Sequence, residues 1–116
     1  MSPNSVGNNH IKVAIYSRDS TTEQAENGTS LDFQDAQLAA YCQLQSWEVE
    51  NRYVDPGFSG KDGERPGLQR LLSDAKIRLF EKVLVYKLDR LARNLRLLLD
   101  IEAKLREYIV SLTSMK

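Results

Sequence analysis

Histidine and cysteine are nearly absent from this chain: His10 and Cys42 are the sole representatives among 116 residues. A single cysteine cannot form an internal disulfide, which fits a reducing cytoplasm. Cys42 falls within an apolar helical pattern and reads as core packing. The lone histidine precedes the first strand candidate, so the folded region has no imidazole for a Ser-His-Asp hydrolase. An excess of charge of either sign is also lacking, since 16 Lys and Arg balance 16 Asp and Glu. That argues against a free-standing nucleic-acid-binding domain with a broad basic surface. Any phosphate partner must instead be gripped by a local cluster of cations. No apolar run approaches the ~20 residues that span a bilayer, so no membrane association is expected. Neither Gly-x-x-x-x-Gly-Lys-Ser/Thr nor Gly-x-Gly-x-x-Gly occurs, which disfavours a nucleotide-binding enzyme. The polar opening, residues 1–10, has no signal-peptide centre and reads as a disordered tail. The length then leaves one domain, 11–116.

What is present is an alternation of strands and helices. Lys12 to Ser17 is a strand candidate rich in Val, Ile and Tyr. After a polar loop, Thr29 or Ser30 can cap a helix running to about Ser46, with Leu31, Leu38, Tyr41 and Cys42 as its buried stripe. Trp47, Val49, Asn51 and Tyr53 alternate with Glu48, Glu50 and Arg52, predicting a second strand with one wetter face. A Gly-rich loop, 55–63, leads to Pro66, which suits the first turn of a helix with Leu68, Leu71, Leu72 and Ala75 on its core face. Lys82 to Tyr86 is short and almost wholly apolar, as a central parallel strand should be. One last helix carries Leu91, Leu95, Leu98 and Leu105 on one side. A fourth strand is expected at Ile109-Val110-Ser111-Leu112. The fold class is therefore α/β, a mostly parallel central sheet flanked by helices.

In such sheets ligands bind beyond the carboxyl ends of the strands. Past the first strand lie Arg18, Ser20 and Gln24. Past the second lie Asp55, Ser59 and Arg65, and past the third Asp89, Arg90 and Arg93. Each group has a plainer reading on its own. Ser20 and Thr21 fit loop or capping hydroxyls, Asp55-Pro56-Gly57 fits a turn, and Asp89-Arg90 with Arg93 fits a solvated helix start. Their joint placement on one edge suits phosphoryl transfer better than acyl transfer. A serine hydroxyl is a usable nucleophile, and arginine forks bind two phosphate oxygens while staying charged. A phosphate-receiver domain shares the alternation but needs an acidic pair after the first strand, where this chain has Arg and Ser.

With those residues in place, the chain resembles the catalytic domain of serine site-specific recombinases: resolvases, invertases and large serine integrases. The resemblance runs from about Lys12 to Thr113. It rests on Tyr16-Ser17-Arg18-Asp19-Ser20-Thr21 with Gln24, on Tyr53-Val54-Asp55 and Phe58-Ser59-Gly60, on Glu64-Arg65-Pro66, and on Lys87-Leu88-Asp89-Arg90-Leu91-Ala92-Arg93. The stretches Tyr41 to Val49 and Gly57 to Lys61 look more like large serine integrases or transposon recombinases than short resolvases. The resemblance implies a resolvase-like domain ending before the family's long oligomerisation helix and separate DNA-binding modules. It further implies a DNA substrate, a homodimer or homotetramer of the full-length protein, and no metal, cofactor or small-molecule substrate. Ser20 would attack a DNA phosphodiester, leaving a 5′-phosphoserine link and a free 3′-hydroxyl. Arg18, Arg90 and Arg93 would surround the phosphate with Arg65 assisting. Asp89 would position Arg90 or protonate the leaving oxygen, and Gln24, Asp55 and Ser59 would complete the shell. The chain departs from the family at position 19, an Asp where an apolar residue is usual. That departure and the early end keep open an alternative: a catalytically degenerate module acting only in protein–protein interaction.

Overall fold

The apolar segments become the strands of one parallel sheet. In the computed structural model the described residues are 10–18, 30–55 and 65–116. The strands are β1 (Lys12–Arg18), β2 (Glu48–Asp55), β3 (Lys82–Val85) and β4 (Ser111–Ser114). They lie in the order β2-β1-β3-β4 and every neighbouring pair is parallel. The helices are α1 (Leu31–Gln45), α2 (Pro66–Lys76), α3 (Leu88–Leu91) and α4 (Leu95–Glu107). The expected α/β class is present. Residues 1–9 of the expected tail lie outside the described residues.

Successive strand residues point to opposite faces, so the two central strands feed two cores. Ala14 and Tyr16 of β1 and Val83 and Val85 of β3 join Leu68, Leu71, Ala75, Ile101 and Leu105 on the α2–α4 side. Val13, Ile15 and Leu84 join Leu38 and Cys42 on the α1 side. Burial on both faces explains why β1 and β3 read as continuous apolar runs. The chain visits β2 on one side of β1 and then returns to β3 on the other. The carboxyl ends of β1 and β3 therefore flank a topological switch point.

Four local expectations are corrected. The alternation in β2 is broken, because Val13 pairs with Val49 but Ala14 pairs with Asn51, leaving Glu50 as an extra residue. This bulge reverses the pleat. Trp47 and Val49 consequently pack towards α1, whereas Tyr53 packs towards α2. The last helix is two: α3 stops at Leu91, and Asn94 starts α4 by accepting the Leu97 amide at 3.1 Å. Leu95 is accordingly 67% exposed rather than buried. The fourth strand begins two residues late because Ile109 adopts a left-handed φ of 61° and turns outward. In α1 the Ser30 hydroxyl caps the helix by accepting the Phe33 amide at 3.2 Å. The fully buried stripe of α1 is Gln34, Leu38 and Cys42, with Leu31 and Tyr41 only half-buried.

Candidate active site

Arg18 is the last residue of β1 and only 2% exposed. Its main chain is clamped by a side chain of α1: Gln34 Oε1 accepts from Arg18 N at 3.4 Å, and Gln34 Nε2 donates to Arg18 O at 3.0 Å. Gln34, Leu38 and Cys42 are spaced four residues apart and share the buried face of α1. An amide thus occupies an otherwise apolar stripe and extends the β1 ladder at its carboxyl end.

The Arg18 guanidinium turns to the segment after β3. Nε donates to the Arg90 carbonyl at 3.0 Å and Nη2 to the Asp89 carbonyl at 2.6 Å. These carbonyls end the one-turn helix α3, where unsatisfied oxygens carry partial negative charge. Arg65 uses the same end, donating from Nη1 to the Arg90 carbonyl at 3.4 Å and from Nη2 to that of Leu91. Its guanidinium also lies 5.7 Å from the centre of the Tyr16 ring. Arg90 itself is 2% exposed, so three guanidinium groups are buried at one sheet edge.

Asp55, the last residue of β2, is the matching carboxylate and is 1% exposed. Oδ1 accepts from Gly67 N at 2.6 Å, while Oδ2 accepts from Leu68 N at 2.9 Å and from the Tyr16 hydroxyl at 2.7 Å. The first donors of α2 are therefore satisfied by a distant strand, since Arg65 at the N-cap position makes no side-chain cap. Burial raises the Tyr16 phenol far above its ordinary pKa of 10.0. Arg65 opposes that shift and the hydrogen bond to Asp55 adds to it.

Of the residues expected at the site, Arg18, Arg65 and Arg90 meet around the end of α3. Asp89 enters through its carbonyl and is itself exposed. Arg93 is exposed in the break between α3 and α4. Asp55 was expected in the phosphate shell, but its two oxygens hold Tyr16 and α2. Asp19, Ser20, Gln24 and Ser59 lie outside the described residues. Sequence reasoning passed over Gln34, Tyr16 and Gly67. The advance signals were a glutamine spaced four residues from Leu38 and eight from Cys42, and the place of Tyr16 at the head of the first motif. Among the described residues no group of three or more His, Cys, Asp or Glu is placed to hold a metal. Among them, too, no helix is long and apolar enough to cross a membrane.

These features define an α/β domain with a four-stranded parallel sheet and an arginine-rich edge at its switch point. Residues 13–116 match the family described as Resolvase, N terminal domain. The chain belongs to this family and is a serine recombinase catalytic domain. It is similar to the N-terminal catalytic domain of TP901-1 integrase, with 45% identity and a TM-score of 0.83, covering 90% of this chain and 77% of that one. A resolvase family site-specific recombinase from Streptococcus pneumoniae is 36% identical with a TM-score of 0.76, covering 90% and 71%. A protein of Bacillus subtilis (strain 168) named "Putative DNA recombinase" is 42% identical over 95 residues, which are 82% of this chain and 18% of that protein. This chain therefore spans less than a fifth of the length of that relative.

Proposed function

We propose that this chain is the strand-breaking unit of a site-specific DNA recombinase, with Ser20 as its nucleophile. The observation that carries the reading is the burial of Arg18, Arg65 and Arg90, each 2% exposed, at the end of the sheet where the carboxylate Asp55 is also buried. Buried charge is costly unless it is compensated. The α3 carbonyls accept from Arg18 and Arg65, and a phosphodiester arriving at the switch point would offer further acceptors. A phosphodiester suits the site because guanidinium forks match its oxygens and stay charged at every physiological pH.

In the proposed step the Ser20 Oγ–P bond forms as the P–O3′ bond breaks. Serine gives up its proton and the 3′ oxygen leaves as a hydroxyl, so the 5′-phosphate stays on the protein. Attack by a 3′-hydroxyl on the phosphoserine restores the diester and frees the serine, with no metal or energy cofactor. Arg18, Arg90 and Arg93 would neutralise the charge developing on phosphorus oxygens, and Arg65 would hold the α3 carbonyls from behind. Asp89, at the exposed start of α3, would steer Arg90 or protonate the leaving oxygen. Gln24 and Ser59 would complete the shell, with Asp55 acting through Tyr16 and α2. The full-length protein would work in the cytoplasm as a dimer that pairs into a tetramer, in DNA integration or transposition.

The test uses the full-length natural protein and its recombination site nicked beside the crossover, so that the cut strand diffuses away and the covalent intermediate accumulates. A detergent-stable protein–DNA adduct mapping to Ser20, absent from Ser20→Ala, is expected. An adduct that persists in Ser20→Ala overturns the assignment. A folded protein that forms no adduct until Asp19→Val is introduced is instead the degenerate module.

A further inference from the structure

Arg65 stands immediately before α2, yet α2 is not anchored by its own cap. Its first donors, Gly67 N and Leu68 N, are held by the Asp55 carboxylate at 2.6 and 2.9 Å, and the same carboxylate accepts the Tyr16 hydroxyl at 2.7 Å. The fit leaves no room for a side chain. A Cβ at position 67 would lie 2.8 Å from the Val54 carbonyl oxygen and 2.9 Å from each Asp55 carboxylate oxygen. These neighbours are a strand backbone and a fully engaged carboxylate, and neither can move aside cheaply. From this anchorage Arg65 passes over the Tyr16 ring to the Arg90 and Leu91 carbonyls. The Arg90 carbonyl also receives Arg18 Nε at 3.0 Å. Contact is thus continuous from Gly67 to Arg18, through residues that are buried throughout.

We infer that Gly67 and Tyr16 are positioning residues for strand cleavage: through Asp55 they fix the start of α2, and with it the Arg65 guanidinium on the Arg90 carbonyl that also holds Arg18. The kinetic side of this inference rests on the proposed role of Ser20, whereas the placement of Arg65 is open to measurement on the present chain. A small displacement of Arg65 would release the shared carbonyl and let Arg18 drift. Misplacement of a charged group by a fraction of an ångström slows chemistry more than it weakens binding.

Tyr16→Phe keeps the ring and removes the hydroxyl, and Gly67→Ala breaks the same junction from the helix side. Leu71→Val trims a residue of α2 that is 0% exposed and serves as a stability control one helical turn from Gly67, outside the hydrogen-bonded junction. On this chain, side-chain nitrogen NMR is expected to show the Arg65 Nε–H signal shifted in both variants and exchanging with water about tenfold faster. The signal should be unchanged in Leu71→Val. In the full-length protein each variant is expected to cleave about tenfold more slowly at saturating DNA, with the DNA dissociation constant within about twofold. The double variant should be no slower than the worse single one, because both act on one junction. If Gly67→Ala does not fold, Tyr16→Phe alone decides. An Arg65 signal unmoved by Tyr16→Phe, or equal slowing in Leu71→Val, overturns the inference. If the Arg65 signal moves while the unaltered full-length protein forms no adduct, the junction stands and the role of Ser20 falls.

Discussion

A guanidinium at the end of a buried strand needs acceptors, and Arg18 finds them in main-chain carbonyls more than seventy residues away. Asp55 is its counterpart, an acceptor whose donors come from β1 and α2. Asp55→Ala would leave two amides and a phenol buried without their acceptor. The expected loss is ~3 kcal/mol or more, read as a lower urea midpoint at unchanged slope. Alkaline pH probes three other residues. The Tyr16 phenol is raised mainly by burial. So is that of Tyr53, with its 2.6 Å hydrogen bond to Asp74 adding to the shift. Burial also raises the Cys42 thiol above 9.0. A raised pKa means that the folded chain holds the proton more tightly than the unfolded one. Stability is then complete below the unfolded pKa values and is lost as pH rises past them. Unfolding free energy is expected to be level through neutrality. It should fall from about pH 9 and more steeply above about pH 10, by up to ~1.4 kcal/mol per pH unit for each proton released. Urea titrations at successive pH values check this, and Tyr53→Phe should make the upper limb shallower.

At the scale of elements, local chemistry sets most starts and stops. Ser30 and Asn94 each accept an amide of the first turn they precede, and Pro66 occupies the first turn of α2. Asn94→Ala is expected to cost about 1 kcal/mol, seen as a lower thermal midpoint, with greater loss of protection in α4 than in α1. Ser30 and Pro66 were legible in the sequence because caps and prolines act within a few residues. Asn94 was not, because the leucines on either side keep helical spacing across the break. The bulge at Glu50 escaped for the opposite reason. A register shift is a property of two strands, and β2 alone shows only uninterrupted alternation.

The whole molecule ranks its strands by position. β1 and β3 are central, while β2 and β4 are the outer strands of the sheet among the described residues. Amides of Ala14, Ile15 and Leu84 are expected to exchange slowest, near the rate set by global unfolding. Those in β4 should exchange faster through local opening. Hydrogen exchange followed by NMR checks the order. Reversal between β3 and β4 would contradict the topology.

Periodicity, caps and turn residues encode the α/β class and the edge on which Arg18, Arg65 and Arg90 gather, since they express preferences that act over a few bonds. The recombinase resemblance was legible for a related reason, because its motifs are short and contiguous. Tertiary structure alone decided how the edge is wired. It made Asp55 the anchor of α2, brought Gln34 to the end of β1, and made the Arg90 carbonyl the meeting point of Arg18 and Arg65. Those contacts join residues 12 to 72 positions apart. A hydrogen bond forms only where donor and acceptor come within about 3 Å. No linear pattern specifies that distance until the sheet has closed around it.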